Sequence, residues 1–235
     1  MVDYSIFPLD DKMKDKLAKL EISYAFQPIF HPDGKEIFAY EALMRPKDIS
    51  VLDLIEKFRA NDDLHTLEVA TIFGAVQCYS RRGYDSYIAI NSFPAESFTD
   101  EEQRIFDDFY AKVLGDKGII EILEYTALDI DKWQAKKGTI NKSNFHIALD
   151  DFGTGNNNML AVDVFAPNIV KLDRSLISGI NDNIDMQENY LYYRDKFHSR
   201  GIKVLAEGIE TKEEFDYLRE NGIDLVQGFY LGRPS

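Results

Sequence analysis

Short apolar runs at strand spacing, separated by longer runs at helical spacing, pattern the whole chain. Phe145, Ile147 and Leu149 alternate with other residues over 144–150, the period of a strand with two different faces. Comparable runs at 23–30, 36–43, 87–91, 118–124, 168–173, 202–208 and 224–231 read as further strands. His31-Pro32-Asp33-Gly34 is a turn, and so short a link makes the first two strands an antiparallel hairpin. Between strands, 64–82 reads as an apolar helix ended by Gly83, and 129–137 as a helix stopped at Gly138. Thr99-Asp100-Glu101-Glu102 and Thr211-Lys212-Glu213-Glu214 are capping boxes, the first opening a helix to about Leu114 and the second one that Gly222 ends. Residues 185–200 read as another helix, and 8–20 as a short lysine-rich amphipathic helix leading into the domain.

Repeated strand–helix alternation predicts an α/β fold in which helices cover a parallel sheet, closed or open. In a closed barrel the reactive groups stand at the carboxyl ends of the strands. Those ends carry Glu41, Asn91, Glu121, Asp150, Lys171, Glu207 and Gln227. Asp150 and Asp151 stand where a strand meets a Gly-Thr-Gly turn, and paired carboxylates there are costly unless a cation lies between them. An isolated Asp-Asp reads as an acidic surface turn. Polar groups ending nearly every strand read as a site.

Composition narrows the chemistry. The 235 residues suffice for one large domain, and 45% apolar with 13% aromatic residues is a globular composition. No run approaches the ~18 apolar residues of a membrane span, and the first eleven residues lack a signal-peptide core. Cys78, the single cysteine, excludes an internal disulfide, fits a reducing cytoplasm and reads as a structural thiol. A net charge of −14 argues against a DNA or RNA surface but leaves room for a small anionic ligand, because bound metal inverts the local field. The four histidines show no ligand spacing, so any metal is held by oxygen, which points to Mg²⁺ or Mn²⁺.

Six segments then fall into a recognisable order. They are Glu41-Ala42-Leu43-Met44-Arg45, Ile90-Asn91-Ser92, Glu121-Ile122-Leu123-Glu124, Asp150-Asp151-Phe152-Gly153-Thr154-Gly155, Val170-Lys171-Leu172-Asp173-Arg174-Ser175 and Ala206-Glu207-Gly208-Ile209-Glu210-Thr211. From Gln27-Pro28-Ile29 to Gln227-Gly228-Phe229, the chain closely resembles the EAL family of cyclic-di-GMP phosphodiesterases. The resemblance implies a modified TIM-type (β/α)₈ barrel with one antiparallel strand, a single domain over 1–235 with 1–20 as its lead-in. It implies two divalent cations, Mg²⁺ or Mn²⁺, on Glu41, Asn91, Glu121, Asp150 and Asp151, with Asp150 as the bridge. Lys171 and Glu207 match residues that orient or deprotonate the attacking water, and Glu124 matches a brace for the 150–155 loop. Gln27, Leu43 and Arg45 match contacts to the dinucleotide, with Asp173 and Gln227 assigned to the same surface and Glu210 to an accessory position. The implied reaction opens the cyclic ring to linear 5′-pGpG, in a cytoplasmic bacterial signalling protein that forms a homodimer.

Departures from the family pattern are few. Asn156-Asn157-Asn158 stands where the family commonly has Tyr-Ser-Ser, in the loop that couples the site to dimerisation. Pro46 replaces a frequent tryptophan, and family members usually continue past the position of Ser235. The competing reading is a member that binds cyclic-di-GMP or a partner protein without cutting; degenerate relatives typically lose metal ligands, and here the matching positions are filled. Asp151-Phe152-Gly153 also occurs in protein kinases, but no His-Arg-Asp loop accompanies it. Histidine–aspartate phosphodiesterase chemistry fails for want of any His-Asp pair.

Overall fold

The eight strands are β1 (Ser23–Phe30), β2 (Ile37–Arg45), β3 (Tyr87–Ser92), β4 (Gly118–Ile122), β5 (His146–Phe152), β6 (Ile169–Leu172), β7 (Lys203–Ala206) and β8 (Leu225–Val226). In the computed structural model they pair in chain order into a closed barrel. The structure describes residues 2–235 except 124–128 and 156, with the side chains of 111 and 112 also left aside. β1 runs antiparallel to β8, with Phe30 opposite Val226. β5 through β8 are parallel: Val170 faces Leu149 on one side and Val204 on the other, and Leu205 faces Leu225. The His31 N–H bonds the Glu36 carbonyl at 2.9 Å, closing the tight turn between β1 and β2. β4 and β6 are buried at every residue, as parallel strands covered on both faces should be.

The chain divides into two compact units, the first comprising Met1–Phe26, Ala42–Ile120 and Tyr125–Phe145. It contains α1 (Asp11–Ala18), α2 (Val51–Ala60), α3 (Leu64–Ser80), α4 (Asp100–Phe106), α5 (Lys112–Leu114) and α6 (Ile130–Lys142). α3 is buried on nearly every face, and α4 carries the expected Thr99–Glu102 capping box. α2 lay outside the sequence reading, although Ser50 caps the Asp53 N–H and Leu54, Ile55 and Phe58 are buried from its length. α6 does not stop at Gly138. A glycine costs a helix interior only about 1 kcal/mol, and burial of Trp133, Lys136 and Ile140 on both sides of it carries the helix on to Lys142.

The second unit comprises Gln27–Glu41, Glu121–Glu124 and His146–Ser235. Its helices are α7 (Met159–Phe165), α8 (Ile184–His198) and α9 (Lys212–Glu220). α7 was also missed; Asn158 caps it by accepting the Leu160 N–H at 2.8 Å. β8 is far shorter than 224–231. A Cβ on Gly228 would lie 2.1 Å from the Ile209 carbonyl oxygen, and the Leu231 and Gly232 N–H groups both turn back to the Gly228 carbonyl. The chain therefore coils away from the sheet after Val226. Among the described residues, no helix is long and apolar enough to cross a membrane.

Candidate active site

Lys171, next to last in β6, organises the second unit. Its side chain is 1% exposed, and its ammonium lies 2.9 Å from Glu121, 2.7 Å from Asp150, 2.8 Å from Glu207 and 4.0 Å from Glu41. Such burial of a lysine requires compensating charge, and four strands supply it. Glu121 is the fourth of β4's five residues, Asp150 sits two residues before the end of β5, and Glu207 follows β7 directly. Glu41 departs from the strand-end expectation, since β2 continues past it to Arg45. Gln227, just beyond β8, donates its amide to the second Glu41 oxygen at 2.7 Å.

The electrostatics follow from this crowding. Burial pushes the Glu121 carboxyl well above its ordinary range; Lys171 opposes the shift, and Glu41, Asp150 and Glu207 reinforce it. Glu207 rises for the same reason, burial first. Asp151 is pushed up to about 6 by burial and then by the Asp150 charge. Burial works against the Lys171 ammonium, but the four carboxylates outweigh it and hold its pKa well above normal. Lys171 stays protonated.

Negative charge still exceeds positive, and buried oxygens are left over. Among the described residues, Glu121 Oε2, Asp150 Oδ1 and Gln227 Oε1 find no hydrogen-bond partner. Asp150 Oδ1 lies near the Lys171 ammonium but lacks the alignment of a hydrogen bond to it. Oxygens of Asp150, Asp151 and Glu207 lie within 4.8 Å of one another. Unsatisfied carboxylate and amide oxygens in an acidic pocket are a donor set for a hard divalent cation, so these residues fit the metal that the sequence implied.

A cavity of about 380 Å³ opens over the cluster, within the range of small-molecule sites. Gln27, Asp173, Arg174, Glu210 and Phe229 line its outer part. Gln27 donates to the Gly232 carbonyl at 3.2 Å. Asp173 caps the turn after β6 by accepting the Ser175 N–H at 2.9 Å. Glu210 pairs at 3.0 Å with Arg174, whose guanidinium also donates to the Gly208 carbonyl. Arg174 had no role in the sequence reading; a cation directly after the polar end of a strand was the available signal.

Glu41, Glu121, Asp150, Asp151, Lys171, Glu207 and Gln227 thus gather in one unit. Asn91, Leu43 and Arg45 belong to the other. Asn91 is half-buried near the end of β3, Leu43 is half-buried, and Arg45 is exposed with its guanidinium on the Met44 carbonyl at 3.0 Å. Glu124 lies outside the described residues.

Known proteins resemble this chain in sequence and in fold. Over 139 residues the chain is 30% identical to the probable cyclic di-GMP phosphodiesterase PdeG of Escherichia coli (strain K12), covering 59% of this chain and 27% of that protein. The chain therefore spans about a quarter of that relative's length. A standalone EAL protein from Vibrio cholerae O395, in its c-di-GMP-bound form, superposes with a TM-score of 0.80 at 27% identity, covering 91% of this chain and 92% of that one. The manganese and cy-diGMP complex of Klebsiella pneumoniae BlrP1 at pH 9.0 gives 0.76 at 26% identity, covering 91% and 56%. The sequence model of the EAL domain matches residues 10–234, and the chain belongs to the EAL domain family.

Proposed function

We propose that this protein is a metal-dependent phosphodiesterase that hydrolyses cyclic-di-GMP to linear 5′-pGpG. The observation that carries the reading is the ring of Glu41, Glu121, Asp150 and Glu207 around Lys171, with buried oxygens that find no partner among the described residues. The relatives add that similar proteins are named as cyclic di-GMP phosphodiesterases and were crystallised with c-di-GMP, one of them with manganese.

Asp150 and Asp151, with Glu41 and Glu121, are the residues of this unit that would hold two divalent cations. These would neutralise phosphoryl charge and render a water acidic enough to attack near neutral pH. The chain's own residues do the rest. Glu207 lines the cavity and would accept the proton that the attacking water loses. Lys171 donates only: its ammonium holds three carboxylates in one geometry and adds positive charge to the cavity lining. Gln227 orients Glu41, and Gln27 and Asp173 face the space that the dinucleotide would fill. Arg45 offers a planar donor suited to a phosphate oxygen.

The test is incubation with cyclic-di-GMP and Mn²⁺ or Mg²⁺, followed by chromatography for pGpG. Release of pGpG by wild type and its loss in Asp150→Asn support the reading. Binding of the dinucleotide without pGpG would replace it with that of a non-hydrolytic binding module.

A further inference from the structure

The Asn156-Asn157-Asn158 segment, where the chain departs from its family, contains a side chain with a specific task. Asn157 is 4% exposed, and its amide donates to the Asp150 carbonyl at 2.6 Å. Its main chain closes the loop from both sides: its carbonyl accepts the Gly153 N–H at 3.0 Å, and its N–H donates to the Thr154 carbonyl at 3.1 Å. Thr154 in turn anchors the neighbouring acid, donating to the Asp151 carbonyl from its N–H at 3.2 Å and its hydroxyl at 2.9 Å. Both acids of the pair are thus tied by their carbonyls to residues of one short loop.

The loop has reason to need this. Asp151 sits at φ +47°, a left-handed conformation that aspartate tolerates better than most residues but that still leaves the regular strand geometry. Gly153 follows at φ +104°, where a Cβ would lie 2.5 Å from Leu176 Cδ1. The strand end is therefore irregular, its register against β6 shifting between Leu149 and Phe152, and oxygens of Asp150, Asp151 and Glu207 lie within 4.8 Å of one another there. The serine common in the family would end one atom short of the reach of an asparagine amide.

We propose that Asn157 is a positioning residue that fixes the Asp150–Asp151 carboxylate pair for its cation, bracing the loop from within. This rests on the metal-assisted reading above. Asn157 touches no reacting atom. It acts through the backbone of Asp150, as residues behind metal ligands do when they hold those ligands in register.

The test compares Asn157→Ala, Asn157→Ser and Asn158→Ala in the full chain. Asn158 caps α7 through its side chain and serves as the structural control. Mn²⁺ titration of the metal-free protein by calorimetry is the first readout, exchange of the Gly153 amide the second, and kcat against KM for cyclic-di-GMP the third. Asn157→Ala is expected to weaken Mn²⁺ binding about 10–100-fold. It should also speed Gly153 exchange and lower kcat more than it raises KM. Asn157→Ser, which keeps a donor, should fall between it and wild type, and it carries the test if the alanine variant does not fold. Asn158→Ala should lower the melting temperature and leave Mn²⁺ affinity at the wild-type value. Wild-type Mn²⁺ affinity in both Asn157 variants, or equal weakening in Asn158→Ala, would overturn the proposal. Wild type that binds Mn²⁺ but yields no pGpG removes the hydrolytic reading alone, and the titration still decides the role of Asn157. Wild type that binds no Mn²⁺ removes both.

Discussion

Gln227 and Glu41 are 186 positions apart, yet the Gln227 amide donates to the Glu41 carboxylate at 2.7 Å. The contact follows from barrel closure, because β8 pairs with β1 and β1 turns directly into β2. Its precision depends on the next residue, Gly228, which lies against the Ile209 backbone and leaves no space for a Cβ.

Gly228→Ala should therefore cost about 1–3 kcal/mol, the usual penalty of overpacking, and should displace Gln227 from Glu41. Gly138→Ala is the contrast: a Cβ there meets nothing within 4 Å, within a continuous helix. It should stabilise by about 0.5–1 kcal/mol. Denaturant titration of both variants checks the pair of opposite signs. Equal destabilisation in the two would contradict the close approach at Gly228.

Lys171→Met should be costly in a different way. It removes the ammonium and leaves Glu41, Glu121, Asp150 and Glu207 facing one another, a loss of about 3–5 kcal/mol for a broken buried network. Mn²⁺ should restore part of this, since an ion that binds only the folded form adds about 2.7 kcal/mol at a hundredfold excess over Kd. Unfolding in EDTA and in Mn²⁺ measures both. In turnover, Lys171→Ala should mainly lower kcat and Arg45→Ala mainly raise KM.

Glu68 and Lys136 form a second buried pair, in the first unit. Glu68 also accepts the Ser92 hydroxyl at 2.6 Å and the Phe93 N–H at 3.0 Å, while Lys136 donates to the Phe93 carbonyl at 2.8 Å. The pair clamps the chain just past Asn91. Either Glu68→Leu or Lys136→Met alone should destabilise by about 3–5 kcal/mol by leaving its partner charged and buried. The double variant should cost less than the two singles together. Additive losses in urea unfolding would show that the two charges are not coupled.

His65 gives the pH dependence of this unit. Hydrogen bonds to Glu102, at 2.9 Å, and to Glu96 lift its pKa to about 10. Burial alone would raise Glu102, but the bonds from His65 and Thr99 outweigh it and hold that carboxyl below its ordinary value. The raised histidine contributes stability that is full below about 6.5, the unfolded value, and that is lost as pH climbs through about 10. The depressed Glu102 contributes stability above its unfolded value and loses it as pH falls through the folded one. Melting temperature should therefore decline from pH 7 to 10 in wild type and more gently in His65→Gln. Parallel curves would rule out the ion pair as the cause.

Although α2 and α7 were not legible in the sequence, the order of the strands, the hairpin, both capping boxes and the acids and lysine that gather at β6 were. Local rules suffice for these: period two for strands, side-chain caps for helix starts, and a polar residue ending an apolar run. Other features are decided only in three dimensions. The 224–231 run looks like a strand but ends at Val226, because Gly228 is pressed against Ile209. Gly138 looks like a helix stop, yet buried residues on either side of it continue α6. Glu41, Glu121, Asp150 and Glu207 are separated by long stretches of chain, and only strand register brings them to one ammonium. Asn157 reads as a loop residue by composition, and only the fold turns its amide onto Asp150. Periodicity reports what each segment prefers, whereas contacts between segments report what the closed barrel permits.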